Sequence, residues 1–359
     1  MKLALLNLAN NINGFKTTPS GETTYMKLIL EDMGYEVDII SNKATEYTIP
    51  FEDVKDINAY DRLLCLNGAI NFFGGKESPT IINNFKLMAQ FKGTIYYLFT
   101  DLRLPFNQLW PAIENRGWGY KKEEVWIDSP VVIISQGYNL DTARRLHKKA
   151  EANTKLTYDW VRLDRHKLYQ PVFSEACESV PREDKVSDII YGGSFRGGQR
   201  EAKMNEYLFD TGLDVEFFGT AKETQFKNPK FPWTQAPRFV GKVPMCDMLK
   251  RNSQGLATIV IGDSTYNDNY ITPRVWETMV SDAVMFIDHE FNTAHDIIND
   301  ERFYVHNKEE FVSRVKAIKE DETLRLEMLR IQHETLAKAF AEKPMWQNEF
   351  MKAINAEIA

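Results

Sequence analysis

Cysteine is scarce: Cys65, Cys177 and Cys246 are the only three in 359 residues, widely separated and odd in number. That argues against a disulfide framework or a zinc cluster and points to a reducing compartment. The six histidines make no closely spaced ligand pair, so no metal site built from the protein's own side chains is expected. No run of about 18 apolar residues occurs, which argues against a membrane-spanning helix. The start of the chain, Met1-Lys-Leu-Ala-Leu-Leu-Asn-Leu-Ala-Asn10, turns polar too soon for a signal peptide and reads as a strand; a cytoplasmic location is expected. Internal repeats and low-complexity stretches are absent too. The formal net charge of −7 gives no general sign of nucleic-acid binding.

What is present is 43% hydrophobic and 12% aromatic residues, the proportions of a folded protein, over a length that accommodates two domains. Strands are expected at 1–8, Val37–Ser41, Tyr60–Leu66, Thr94–Thr100 and Val131–Ser135, with helices at Thr23–Met33, Ile81–Gln90 and Thr142–Ala150. A second series has strands at Ile189–Tyr191, Val215–Phe218, Ala257–Gly262 and Ala283–Ile287, with helices at Glu201–Phe209 and Pro273–Val280. Apolar strands alternating with helices imply parallel sheets covered on both faces. The segment 168–187 carries Pro171 and Pro181 and suits a linker, and the tail 321–357 reads as helical with a break near Lys343-Pro344. Two α/β domains with a cleft between them are the expected architecture. Ligands of such sheets bind beyond the carboxyl ends of the strands.

The most informative stretch is Asp188-Ile-Ile-Tyr-Gly-Gly-Ser-Phe-Arg-Gly-Gly-Gln-Arg-Glu201. A buried strand would end at Tyr191, with Gly192 and Gly193 turning the backbone and admitting a ligand closely. Ser194, Arg196 and Arg200 would then crowd a helix N-terminus, whose free N–H groups and partial positive charge favour an anion such as a pyrophosphate. Ile271-Thr-Pro-Arg-Val-Trp-Glu-Thr278 puts Pro273 in a first helical turn and Arg274 and Glu277 on one face. That pair suits a phosphate and the hydroxyls of a ribose, or a simple ion pair within the helix.

Asp101 follows the strand Tyr96-Tyr-Leu-Phe-Thr100, where a carboxylate serves either as a base or as a turn and cap residue. Glu22 opens a helix, where it complements the dipole. Residues 1–180 hold 21 Lys and Arg against 22 Asp and Glu, and residues 181–359 hold 23 against 29, so the acidity is concentrated in the second half. Basic clusters at Lys121-Lys122, Arg144-Arg145 and Lys148-Lys149 suit phosphates or solvated faces. The loop segments Asn67–Lys76 and Leu109–Lys122 mix aromatic and basic residues that could engage bases or fold back on the core.

Longer strings point further: Asn10-Asn11; Phe15-Lys-Thr17 and Pro19-Ser20 with Glu22-Thr23; Ile70-Asn-Phe-Phe-Gly-Gly-Lys76; Tyr96-Tyr-Leu-Phe-Thr-Asp-Leu-Arg-Leu-Pro-Phe106; Tyr191-Gly-Gly-Ser-Phe-Arg196 with Gly198-Gln-Arg-Glu201; Glu216-Phe-Phe-Gly219; and Arg274-Val-Trp-Glu-Thr-Met279 with Ser281-Asp-Ala-Val-Met285. Through them the chain resembles, over essentially its full length, the DNA β-glucosyltransferases of T-even phages. The resemblance implies two facing Rossmann-like domains of the GT-B glycosyltransferase type with a C-terminal helical tail. Residues 1–170 would form the acceptor domain, 171–187 the linker, 188–340 the UDP-sugar domain, and 341–359 a helix packing back on the first. It implies an inverting transfer of glucose from UDP-glucose to 5-hydroxymethylcytosine in duplex DNA, in an infected host cell. A monomer is expected, because DNA must enter an open cleft.

In that reading Asp101 is the general base and Glu22 orients the sugar. Gly193, Ser194, Arg196, Arg200, Phe218, Gly219, Val243, Met245, Tyr266, Arg274 and Glu277 form the UDP site. A weakly bound magnesium or manganese ion assists. Asn71, Phe72, Lys76, Arg116, Lys121 and Lys122 would serve DNA binding and base flipping. The chain departs from the family pattern around Gly14, Thr18, Gly21, Gly68-Ala69 and Pro273. Another donor such as UDP-arabinose is therefore a second expectation, and a non-catalytic DNA-binding relative a third.

Overall fold

Runs of five or six apolar residues can be strands only if both faces are covered, and the computed structural model places them so. It describes residues 1–6, 21–41, 48–66, 79–99, 119–120, 125–135, 158–162, 184–195, 199–220, 226, 233–243, 245–262 and 273–355. The chain divides into two units, Met1–Leu168 with Pro344–Ala359, and Tyr169–Lys343.

The first unit carries strands β1 (Lys2–Leu6), β2 (Glu36–Ser41), β3 (Thr48–Pro50), β4 (Arg62–Leu66), β5 (Ile95–Phe99), β8 (Val131–Ser135) and β9 (Tyr158–Arg162), with β6 (Gly119–Tyr120) and β7 (Val125–Trp126) as a separate antiparallel pair. The main sheet is parallel, in the order β3-β2-β1-β4-β5-β8-β9. Helices α1 (Gly21–Asp32) and α2 (Pro79–Gln90) lie between strands in the chain. Leu6, Leu63, Cys65, Phe85, Met88 and Tyr97 belong to one buried cluster. Burial also pushes the Cys65 thiol well above its ordinary pKa, which leaves it an inert packing group. The helix expected at Thr142–Ala150 lies outside the described residues.

The second unit repeats the plan: β10 (Ser187–Ser194), α3 (Gln199–Leu208), β11 (Val215–Thr220), β12 (Arg238–Phe239), α4 (Met245–Asn252), β13 (Gly255–Val260), α5 (Pro273–Met279), β14 (Val284–Asp288), β15 (Tyr304–Val305), α6 (Lys308–Glu320) and α7 (Glu322–Ala341). Its parallel sheet runs β12-β11-β10-β13-β14-β15. In both sheets the chain builds outward one way from the first strand and then the other. The strand order therefore reverses beside β1 and beside β10, the doubly wound pattern whose switch points hold ligands.

The tail breaks where Pro344 falls in a first helical turn, a position that needs no N–H donor. The last helix, α8 (Lys343–Ile354), buries Phe350, Ala353 and Ile354. The Gln347 amide donates to Asp32, and the Asn355 amide donates to the Tyr35 hydroxyl at 3.3 Å, so the tail packs on the first unit. Among the described residues no helix is long and apolar enough to cross a membrane.

Fully buried Gln332 on α7 ties α5 to β14. Its Oε1 accepts from the Met285 N–H at 2.8 Å, and its Nε2 donates to the carbonyls of Met279, Ala283 and Ser281 at 2.9, 3.2 and 3.3 Å. Gln332→Leu strands those groups, and at about 1–3 kcal/mol for a buried unsatisfied group we expect a loss of roughly 2–4 kcal/mol. A lowered urea midpoint for the second unit is the readout; an unchanged midpoint would show that these groups find other partners.

Candidate nucleotide site

Gly192 and Gly193 do not turn the chain, contrary to the sequence-based expectation. β10 continues to Ser194, with Gly192, Gly193 and Ser194 paired to Phe218, Gly219 and Thr220 of β11. Parallel pairing with β11 holds these residues extended, so the glycines serve close approach instead. A β-carbon at Gly192 would overlap the ring of Phe218. A β-carbon at Gly219 would overlap the Gly193 carbonyl oxygen, and Gly219 has φ +129°, a conformation that side-chain-bearing residues rarely adopt. The Gly219 N–H donates to the Gly241 carbonyl at 2.8 Å, which brings the segment leading to Val243 beside the end of β11.

The third approach involves a charge. A β-carbon at Gly193 would sit 2.8 Å from Nη2 of Arg274, so the guanidinium occupies the space that a side chain there would fill. Arg274 comes from the first turn of α5, and Glu277 lies one turn later, half-buried. Arg200 lies in the first turn of α3, and its buried Nε has no hydrogen-bond partner.

The other arginines of this unit differ. Arg238 and Arg251 share the fully buried Glu216; Arg302 pairs with Asp300 and Glu327, Arg314 with Glu310, Arg325 with Glu322, and Arg330 with Glu334. Among the described arginines of residues 184–343, only Arg200 and Arg274 lack a carboxylate. Two uncommitted guanidinium groups near the carboxyl end of β10 are available to an anionic ligand.

A polar group missed in the sequence fixes α3. Asp288, the last residue of β14 and 1% exposed, accepts from the Tyr207 hydroxyl at 3.0 Å and pairs with Lys203 at 3.3 Å. Burial raises the Asp288 carboxyl above its ordinary pKa, against the opposing pull of Lys203 and Tyr207. Burial lowers Lys203, but Asp288, Glu206 and Glu290 outweigh it and leave the ammonium raised. The signal available in the sequence was a carboxylate ending an apolar strand, the same signal that drew attention to Asp101.

The structure thus gathers Gly193, Ser194, Phe218, Gly219 and Arg274 at one edge, with Arg200 on the helix that follows β10. Phe218 is buried against Gly192. Val243 is half-buried, and Met245 opens α4. Glu22 is the second residue of α1, and Asp101 comes two residues after β5 ends. The positions of Asp101, Arg196, Tyr266, Asn71, Phe72, Lys76, Arg116, Lys121 and Lys122 lie outside the described residues. Among the described residues no group of three or more His, Cys, Asp or Glu side chains could hold a metal.

Residues 1–167 match the family model described as bacteriophage T4 β-glucosyltransferase. The DNA β-glucosyltransferase of Enterobacteria phage T4 is 53% identical over 357 residues, covering 99% of this chain and 100% of the relative. Two solved structures of T4 phage BGT match over 99% of this chain and 100% of theirs: one with UDP and Mn2+ at 51% identity and TM-score 0.84, one with UDP-glucose at 50% and 0.83. Sucrose-phosphate synthase from Thermosynechococcus elongatus, at 11% identity and TM-score 0.51 over 98% of both chains, shares the fold alone. The fold and the full-length similarity to the T4 enzyme together define a glycosyltransferase of the GT-B type, with two Rossmann-like units. Within that class, the chain belongs to the bacteriophage T4 β-glucosyltransferase family.

The glycines predict unequal costs. Gly193→Ala displaces only the end of an arginine side chain and should leave the denaturation midpoint nearly unchanged. Gly219→Ala meets backbone at an unfavourable φ and should cost about 2 kcal/mol or more. Equal midpoints for the two variants would contradict the close approach of β10 and β11.

Proposed function

We propose that this chain transfers glucose from UDP-glucose to the hydroxymethyl group of 5-hydroxymethylcytosine in duplex DNA, with inversion at the anomeric carbon. The observation that carries the reading is the Arg274 guanidinium lying against Gly193 without a carboxylate partner, in a chain 53% identical to the T4 enzyme. UDP and UDP-glucose in the solved T4 structures support the choice of donor.

The donor diphosphate is held by Ser194, Arg196, Arg200 and Arg274, whose charge stabilises the departing UDP. Glu277 takes the ribose hydroxyls. Phe218, Gly219, Val243, Met245 and Tyr266 surround the uridine. Asp101 takes the proton from the acceptor hydroxyl as that oxygen attacks the anomeric carbon and the bond to UDP breaks. Glu22 orients the sugar.

A divalent ion, as in the T4 complex with Mn2+, would take its ligands chiefly from diphosphate oxygens and water. The target base must leave the duplex to reach Asp101. Asn71, Phe72, Lys76, Arg116, Lys121 and Lys122 serve that step and the backbone contacts. Residues 1–170 form the acceptor side, 171–187 the connection and 188–340 the donor side, with the helix of 341–359 supporting the first. The protein acts as a monomer in the cytoplasm of an infected host.

Asp101→Ala should cut transfer by about 10²–10⁴-fold or more, the usual contribution of a general base, while UDP affinity stays within roughly twofold. UDP release should require hydroxymethylated duplex. Near-normal turnover in the variant would remove Asp101 from the role of base. Equal release with unmodified duplex would overturn the acceptor.

A further inference from the structure

Tyr191 has no role in the chemistry above, yet it lies directly against the arginine proposed for the diphosphate. It precedes Gly193 by two residues on β10, so the two positions share a face of the sheet. Cζ of Arg274 is 5.3 Å from the centroid of the Tyr191 ring. The guanidinium therefore meets an aromatic face at one position of the strand and a missing side chain at the next.

The ring is itself held. It is 1% exposed and stacks on Phe217, with centroids 5.6 Å apart and planes 26° apart. Phe217 is in turn packed by Phe226 at 5.2 Å, Phe239 at 5.9 Å and Phe195 at 6.2 Å. The Tyr191 hydroxyl is buried and makes no hydrogen bond, so nothing in its polar chemistry explains the position. What the residue presents to Arg274 is the ring.

We propose that Tyr191 is a positioning residue for donor binding. Its ring holds the Arg274 guanidinium against Gly193 by a cation–π interaction, so the fork of N–H donors is already ordered when the diphosphate arrives. The proposal rests on Arg274 serving that diphosphate. A carboxylate could also order the arginine, but it would neutralise the charge that the donor needs. An aromatic face orders it and leaves every N–H donor available. The desolvated setting makes the interaction stronger than at an exposed site.

The test uses the full chain with Tyr191→Phe as baseline, followed by mono-, di- and trifluorinated phenylalanine at the same position. These rings are nearly the same size, while fluorine progressively weakens the negative face. UDP is the titrant, and the urea midpoint of each variant reports on the fold. Tyr191→Phe should bind UDP within about twofold of the parent, because the hydroxyl has no partner. Affinity should then fall stepwise, by roughly 3–30-fold across the series, with the midpoint steady.

In an Arg274→Ala background the series should be flat. A flat series with Arg274 present overturns the platform. So does a series that falls equally without Arg274, because the ring would then be acting on the site by another route. If Arg274→Ala binds UDP as tightly as the parent, the donor reading of that arginine fails, and the platform fails with it.

Discussion

The candidate nucleotide site depends on a close approach of two backbones at the carboxyl ends of β10 and β11. Gly192, Gly193 and Gly219 leave three adjacent positions without side chains, and each vacancy is used: one by the Phe218 ring, one by the Arg274 guanidinium, one by the Gly193 carbonyl. The remaining parts of the unit hold other elements to that edge. Asp288 fixes α3 through Lys203 and Tyr207, and Gln332 joins the end of α5 to the start of β14. The strand order reverses on the other side of β10, between β10 and β13, where a doubly wound sheet leaves room for a ligand.

Charge is arranged to the same end. The second half of the chain is the more acidic, a composition that does not favour an anion if only net charge counts. Local pairing resolves this. Six of the described arginines in the unit are tied to carboxylates, which fix helices and strands and cancel their field at a distance. Among the described arginines of the unit, Arg200 on the helix after β10 and Arg274 against Gly193 remain uncommitted, so their charge is available to an anion.

Much of the fold was legible because buried parallel strands are apolar on both faces. Leu3–Leu6, Leu63–Leu66, Ile95–Leu98 and Val284–Ile287 are all at most 1% exposed, and each lay in an expected strand. Short edge strands escaped notice. β3 ends in Pro50, and β12 and β15 are two residues long, too brief for a period to show. The double glycine was legible as a special backbone position but was read as a turn. Composition says that a β-carbon is excluded there, and only the pairing with β11 says what excludes it. Arg274 stood out beside Glu277, but its fit to Gly193 joins residues 81 positions apart, which no local pattern encodes. The family itself was carried by long strings such as Tyr191-Gly-Gly-Ser-Phe-Arg196, and the 53% identity to the T4 enzyme bears that out.

Mass spectrometry of the product nucleosides tests the proposed transfer of glucose to hydroxymethylated DNA most directly. DNA containing 5-hydroxymethylcytosine is incubated with the protein and either UDP-glucose or UDP-arabinose, then digested to nucleosides. A hexose mass increment on 5-hydroxymethylcytosine with UDP-glucose is the expected result. A pentose increment with UDP-arabinose and none with UDP-glucose would contradict the donor. No increment with either sugar would contradict the transfer itself.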